Sequence, residues 1–139
     1  MPMSEILEAL NLLEELRKKS LEEILKDKIL TSAILWNLYI VVQGCIDLGL
    51  KAITELGLRT AESYSDVFNV LSESNLISKE LKEKLISMAR FRNILAHMYA
   101  HIDISLVYKI LQNNLDDIKE YIRELTRSLS KFGIKPENL

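Results

Sequence analysis

Ile34-Leu35-Trp36-Asn37-Leu38-Tyr39-Ile40-Val41-Val42-Gln43-Gly44-Cys45-Ile46-Asp47-Leu48-Gly49-Leu50 is the stretch that decides the fold of this chain. On a helix it is apolar on nearly every side, so it belongs at the centre of a bundle, wrapped by other helices. It sits inside a longer helical segment, roughly Lys28 to Leu56, which Gly57 ends. Working outward, Ser4 reads as the N-cap of a first helix whose residues Ile6, Leu7, Leu10, Leu13 and Leu16 share one face. Ser20 and Glu23 form a capping-box pattern for a short piece, Leu21 to Lys26. Ser63 to Asn75 reads as a short helix with Asn75 as a left-handed exit, and Ser78 begins another carrying Leu81, Leu85, Met88, Phe91 and Leu95. Asp103 caps a last helix with Leu106, Ile110, Leu111, Leu115, Ile118, Ile122 and Leu125 as its apolar stripe. There is no internal repeat, linker or second domain. Residues 1–139 therefore read as one all-α, up-and-down bundle of about five helices, with the tail 133–139 frayed.

Composition agrees. Hydrophobic residues make up 48% and charged residues 27%, while Gly (4) and Pro (2) are too scarce for a turn-rich sheet protein. A net charge of −2 excludes polyanion binding by bulk charge. From Lys79 to Lys109, however, six basic residues stand against three acidic ones, which makes that region locally positive and attractive to phosphate. For Lys79 to Lys84 a solvated helix face is the simpler reading. The lone Cys45 excludes an internal disulfide and a multi-cysteine zinc site, and it reads as a small buried hydrophobe. The residues Met1 to Leu10 lack the pattern of a secretory signal. The run Ala33–Ile46, broken by Asn37, Gln43 and Gly44, is too short and too polar for a bilayer span. The expected location is the cytoplasm, with no membrane partner.

Chemistry concentrates in Arg90-Phe91-Arg92-Asn93-Ile94-Leu95-Ala96-His97-Met98-Tyr99. Arg92 and Tyr99 fall on one face of a continuous helix with Ala96 between them, and Asn93 and His97 form the neighbouring stripe. Arginine offers a planar, permanently charged fork for phosphate oxygens. Histidine exchanges protons near neutral pH. Asn93 and Arg90 are candidates for positioning the substrate or the histidine. In RNA the 2′-hydroxyl supplies the nucleophile, so neither an enzymic nucleophile nor a metal or other cofactor is required. One acid, one base and positive charge on the phosphorane suffice. A single chain offers one well-placed histidine, and a two-fold homodimer would bring together two.

Bland readings stand beside these. A histidine in a helical bundle is more often a satisfied core or surface residue than a catalyst, and Tyr99 alone reads as packing with a wet hydroxyl. His97 and His101 have the four-residue spacing of a helical zinc pair, but the third ligand would have to be Asp103 or something distant, no Glu stands between them, and the metal reading is weak. Gln43 and Asp47 form a polar pair inside the apolar central helix. Asp47 needs a partner, and Arg92 or His97 would serve as one from a second layer behind the motif.

Arg92-Asn93-x-x-x-His97-x-Tyr99 resembles the R-N-x-x-x-H-x-Y motif of HEPN-domain ribonucleases, and more narrowly the HepT toxins. The resemblance extends to Gln43-x-x-Ile46-Asp47 in the long helix, to Ser63-Tyr64-Ser65-Asp66-Val67-Phe68, and to Met88-Ala89-Arg90-Phe91 before the motif. It covers Ser4 to about Ser128. It implies a HEPN-type helical homodimer whose two motifs face one cleft, acting as a metal-independent endoribonuclease. Arg92 would then hold the scissile phosphate, His97 would transfer protons and Asn93 would position either of them. It also implies a type II or VII toxin–antitoxin pair, with a minimal nucleotidyltransferase (MNT) antitoxin that in some pairs transfers AMP to the motif tyrosine, here Tyr99. Ala96 stands where many relatives carry valine. The alternative is a non-catalytic HEPN module, a scaffold that docks a nucleotidyltransferase or a nucleotide.

Overall fold

The computed structural model describes residues 1–97 and 101–135, and of His97 the backbone alone. Among the described residues there are seven helices and no strand: α1 (Met3–Leu16), α2 (Leu21–Lys26), α3 (Lys28–Leu56), α4 (Tyr64–Glu73), α5 (Lys79–His97), α6 (Ile104–Asn113) and α7 (Leu115–Ser130).

The central helix is where its apolarity places it. Leu38, Val41, Ile46 and Ala52 of α3 are fully buried, and α1, α2, α4, α5, α6 and α7 all pack against it. Over its full 29 residues α3 is long and apolar enough to cross a membrane by length and composition, which the shorter run Ala33–Ile46 did not suggest. Its buried residues, from Ile34 to Ile53, lie inside the bundle and mark it as a core helix. Small residues set how near its neighbours come. A Cβ on Gly49 would fall 2.6 Å from Val67 Cγ1 and 2.9 Å from the Tyr121 hydroxyl, so α4 and α7 close on α3 at a point without a side chain. There the buried Tyr121 hydroxyl donates to the Cys45 carbonyl at 2.7 Å. This bond satisfies a hydroxyl that the core would otherwise strand. Burial pushes the Cys45 thiol up to about 12, which leaves it protonated and unreactive.

Local signals account for most helix ends. Ser20 and Glu23 make the reciprocal capping box, with bonds of 3.1 and 3.3 Å. Gly57 (φ 62°) and Asn75 (φ 59°) adopt the left-handed conformation that stops α3 and leads out of α4. The Asp103 carboxylate accepts from Ser105 N at 2.9 Å at the start of α6.

Two expectations fail at their ends. Ser4 lies inside the first turn of α1, because extended Pro2 takes the cap position and its carbonyl accepts from Glu5 N. The expected last helix is two helices. Asn114 (φ −111°, ψ −4°) ends α6 and begins α7, and its side chain donates to Asp117 at 3.0 Å. Asparagine is a poor residue for a helix interior and favours such junctions. The apolar stripe runs on across the break, since Leu111, Leu115 and Ile118 are all buried. At the far end of α7, Gly133 (φ 74°) turns the chain and Ile134 N donates to Leu129 O at 3.1 Å, tying Ile134 to the bundle.

Candidate active site

Arg92 is the centre of the site. It projects from the C-terminal half of α5 toward α3 and is half-buried, whereas Phe91 and Leu95 on the other side of the same turns are buried in the core. Its Nε donates to Gln43 Oε1 at 2.8 Å, and Gln43 Nε2 donates to Asp47 Oδ1 at 2.9 Å. The α3 pair expected behind the motif is therefore behind Arg92, but in a different order. Asp47 is partnered by Gln43, and a neutral amide separates it from the guanidinium. Among the described residues no carboxylate forms an ion pair with Arg92, so its charge is not cancelled on the spot.

Two aromatic rings lie beside the guanidinium. Its Cζ lies 5.6 Å from the centre of the Tyr39 ring on α3 and 5.1 Å from that of Tyr64, the first residue of α4. Both are within cation–π range. With Nε anchored and two rings within cation–π range, the Nη edge is the side left for a ligand. Nη1 donates to the exposed Asn93 Oδ1 at 3.2 Å, and among the described residues Nη2 has no hydrogen-bond partner. A planar cation held this way suits an oxyanion such as a phosphate.

Arg92, Asn93, Gln43 and Asp47 thus come together. Arg90 does not join them. It is exposed, and two residues along a helix turn it roughly 200° away from Arg92. His97 ends the described part of α5, one turn after Asn93, and its side chain lies outside the described residues. Tyr99 lies outside them as well, while His101 is exposed just beyond. The positive charge counted between Lys79 and Lys109 does not converge on Arg92. Lys82 and Lys84 sit in the first turns of α5, and they pair with Glu83 at 3.2 Å and with Asp117 of α7 at 3.4 Å.

Sequence reasoning missed Tyr39, Tyr64 and Trp36. One signal was available: Trp36, Tyr39 and Gln43 recur at helical spacing on α3 and make one stripe with Asp47. Trp36 stacks on Tyr39 with ring centres 5.9 Å apart and planes at 24°. Together with Leu35, Leu95 and Ala96 these two rings line a cavity of about 460 Å³ between α3 and α5.

Tyr64 owes its place to the loop before α4. Arg59 clamps Asp66 (2.8 and 3.1 Å) and Glu73 (both 2.9 Å), and Ser63 caps the helix by accepting from Asp66 N at 3.0 Å. The Asp66 carboxylate also accepts from Glu62 N and from Asn69 Nδ2. The Arg59 guanidinium foremost, and then these donors, hold the Asp66 carboxyl well below the usual carboxylate range. A carboxyl depressed on folding stabilises the protein above its unfolded value and loses that contribution as pH falls. Melting temperature is therefore expected to drop below about pH 4, and Asp66→Asn to flatten that drop. Thermal melts in a pH series test this, and an equal slope in the variant would refute it.

Among known proteins, the family described as ribonuclease HepT-like matches residues 6–125. The chain is 29% identical over 97 residues to the mRNA nuclease HepT of Shewanella oneidensis, covering 70% of this chain and 73% of that one. A toxin–antitoxin crystal structure with AMP-PNP superposes with a TM-score of 0.81 at 23% identity, covering 90% of this chain and 94% of that one. A tri-AMPylated HEPN toxin of Shewanella oneidensis in complex with an MNT antitoxin superposes at 0.71, also at 23% identity, over 88% and 97%. At these identities the structural likeness establishes the fold.

Proposed function

The chain belongs to the HepT-like family of ribonucleases, and from that premise we propose that it is the RNA-cleaving toxin of a toxin–antitoxin pair. The observation that carries the reading is the Arg92 guanidinium. It is anchored through Nε by Gln43, held within cation–π range of Tyr39 and Tyr64, and left with its Nη edge for an oxyanion. In the reaction the 2′-oxygen bonds to phosphorus and the bond from phosphorus to the 5′-oxygen breaks, leaving a cyclic phosphate and a 5′-hydroxyl. One group takes the 2′-proton and another gives a proton to the departing oxygen. Arg92 holds the phosphate and neutralises the charge that builds on it, and Asn93 Oδ1 orients the Arg92 fork. His97 exchanges the protons. Two copies of the chain, facing each other across a two-fold axis, supply the acid and the base.

The partner that restrains such an activity is a nucleotidyltransferase antitoxin, with Tyr99 as the acceptor of AMP. A nucleotide attached there would add bulk and negative charge beside a phosphate site. Toxin, antitoxin and RNA meet in the cytoplasm. Purified chain free of its partner is expected to cleave RNA in excess EDTA, and His97→Ala to stop it. Intact RNA after incubation with wild-type protein would refute the activity, and cleavage unchanged in His97→Ala would refute the site.

A further inference from the structure

Trp36 is the most conspicuous side chain that this function leaves without a task. It is 59% exposed on a helix whose other large residues are mostly buried, and it is the only tryptophan of the chain. It does not stand alone. Trp36 stacks on Tyr39, and the Arg92 guanidinium lies over both the Tyr39 and the Tyr64 rings. Three aromatic rings from α3 and α4 thus cluster with the phosphate-holding guanidinium of α5. Among the described residues the cavity beside Trp36 and Tyr39 is lined by these two rings with Leu35, Leu95 and Ala96, none of them charged.

We propose that Trp36 and Tyr39 form a stacking subsite for one nucleobase of single-stranded RNA, the base next to the phosphate held at Arg92. The inference rests on the ribonuclease reading of that site. An exposed aromatic face beside a cation is the arrangement by which proteins hold single-stranded nucleic acid. Stacking takes the base and the cation takes the backbone, with little regard to base identity, because every base has a π-face. Single-stranded RNA in particular offers splayed bases to such surfaces. Ala96, small and exposed at the cavity rim, leaves room for a ring to slide in.

The same structure limits the subsite to one base. On its other side Trp36 lines a second groove, about 400 Å³, between α1 and α3, where Glu5 and Glu8 present carboxylates. These repel a phosphate backbone, so the strand turns away once its base has reached Trp36.

Because Trp36 is the sole tryptophan, its fluorescence reports on the subsite directly. The probes are a short 2′-deoxy oligonucleotide, which lacks the nucleophile and stays intact, and an abasic oligomer of equal length. The intact oligomer is expected to quench Trp36 in a saturable manner and the abasic one to leave it bright. Trp36→Ala is expected to weaken binding, read by anisotropy, about ten-fold or more, and Trp36→Phe to retain most of it. Exposure of Trp36 lets both variants keep the fold, checked by their melting curves. Binding without quenching, or wild-type affinity in Trp36→Ala, in a protein that still cleaves RNA would overturn the subsite and leave the ribonuclease standing. A wild-type chain that neither cleaves RNA nor binds the oligomer would overturn both. Unchanged oligomer affinity in Trp36→Ala with loss of dimer mass or of antitoxin association would make this face a protein interface and overturn the subsite.

Discussion

Arg92→Lys is expected to slow RNA cleavage by about 10²–10³-fold, the loss typical when an oriented donor to a developing oxyanion is removed. The substitution keeps the charge and removes the geometry. Lysine has no Nε to meet Gln43 Oε1, now 2.8 Å from Arg92 Nε, and no planar group to set against the Tyr39 and Tyr64 rings. Its ammonium is a compact, strongly hydrated point charge on a flexible stem, and it would sample the site where arginine is held in one pose. Arg92 is half-buried and exposed along one edge, so the melting temperature should move by only a few degrees. The measurement is single-turnover cleavage of an oligoribonucleotide in EDTA, beside a melting curve. A lysine variant within about three-fold of wild type would mean that charge alone suffices, and that orientation by Gln43 and the two tyrosines contributes nothing to cleavage.

How much of this was legible in the sequence follows the range of the interactions. Ser20 with Glu23, Gly57, Asn75 and Asp103 act on backbone within a few residues of themselves, and each marks a helix end as its chemistry requires. The apolar stretch from Ile34 to Leu50 placed α3 at the centre because burial on all sides leaves a mark on every turn. Asn114 was hidden, since the stripe of buried leucine and isoleucine continues through the break and a hydrophobic period cannot register one residue leaving helical geometry. In the site, the motif itself was visible in one window, but what orients it was not. Gln43 is 49 positions from Arg92, and Tyr64 belongs to a third helix. A count of charges along the chain also merged two places. Lys79 to Lys84 and Arg92 share α5, yet the helix sets its first turns roughly 12–20 Å from Arg92.

Phe68→Ala is expected to be the most damaging single change to stability in the elements around the site. Phe68 is fully buried, and its ring meets Tyr121 edge-on at 5.5 Å with planes at 77°. Tyr121 in turn is bonded to the Cys45 carbonyl, and Gly49 lies against Val67, Leu71 and Tyr121, so α3, α4 and α7 join at this one spot. Removing the ring leaves a cavity among residues that can collapse only by moving whole helices. That costs about 3–5 kcal/mol, a large part of the roughly 5–15 kcal/mol that holds a domain of this kind folded. A fall in melting temperature of about 10–20 °C corresponds to it. The effect should reach the site before global unfolding does. Tyr64 stands one turn before Phe68 on α4, and loosening of that helix withdraws one of the two rings beside the Arg92 guanidinium. Cleavage by Phe68→Ala at a temperature where it remains folded should therefore fall further than the folded fraction, and Phe68→Leu, which refills much of the volume, should recover most of both. A melting temperature within about 3 °C of wild type would show that α4 is not cooperative with the core, in which case the Tyr64 wall would have to be held by the Arg59 clamp alone.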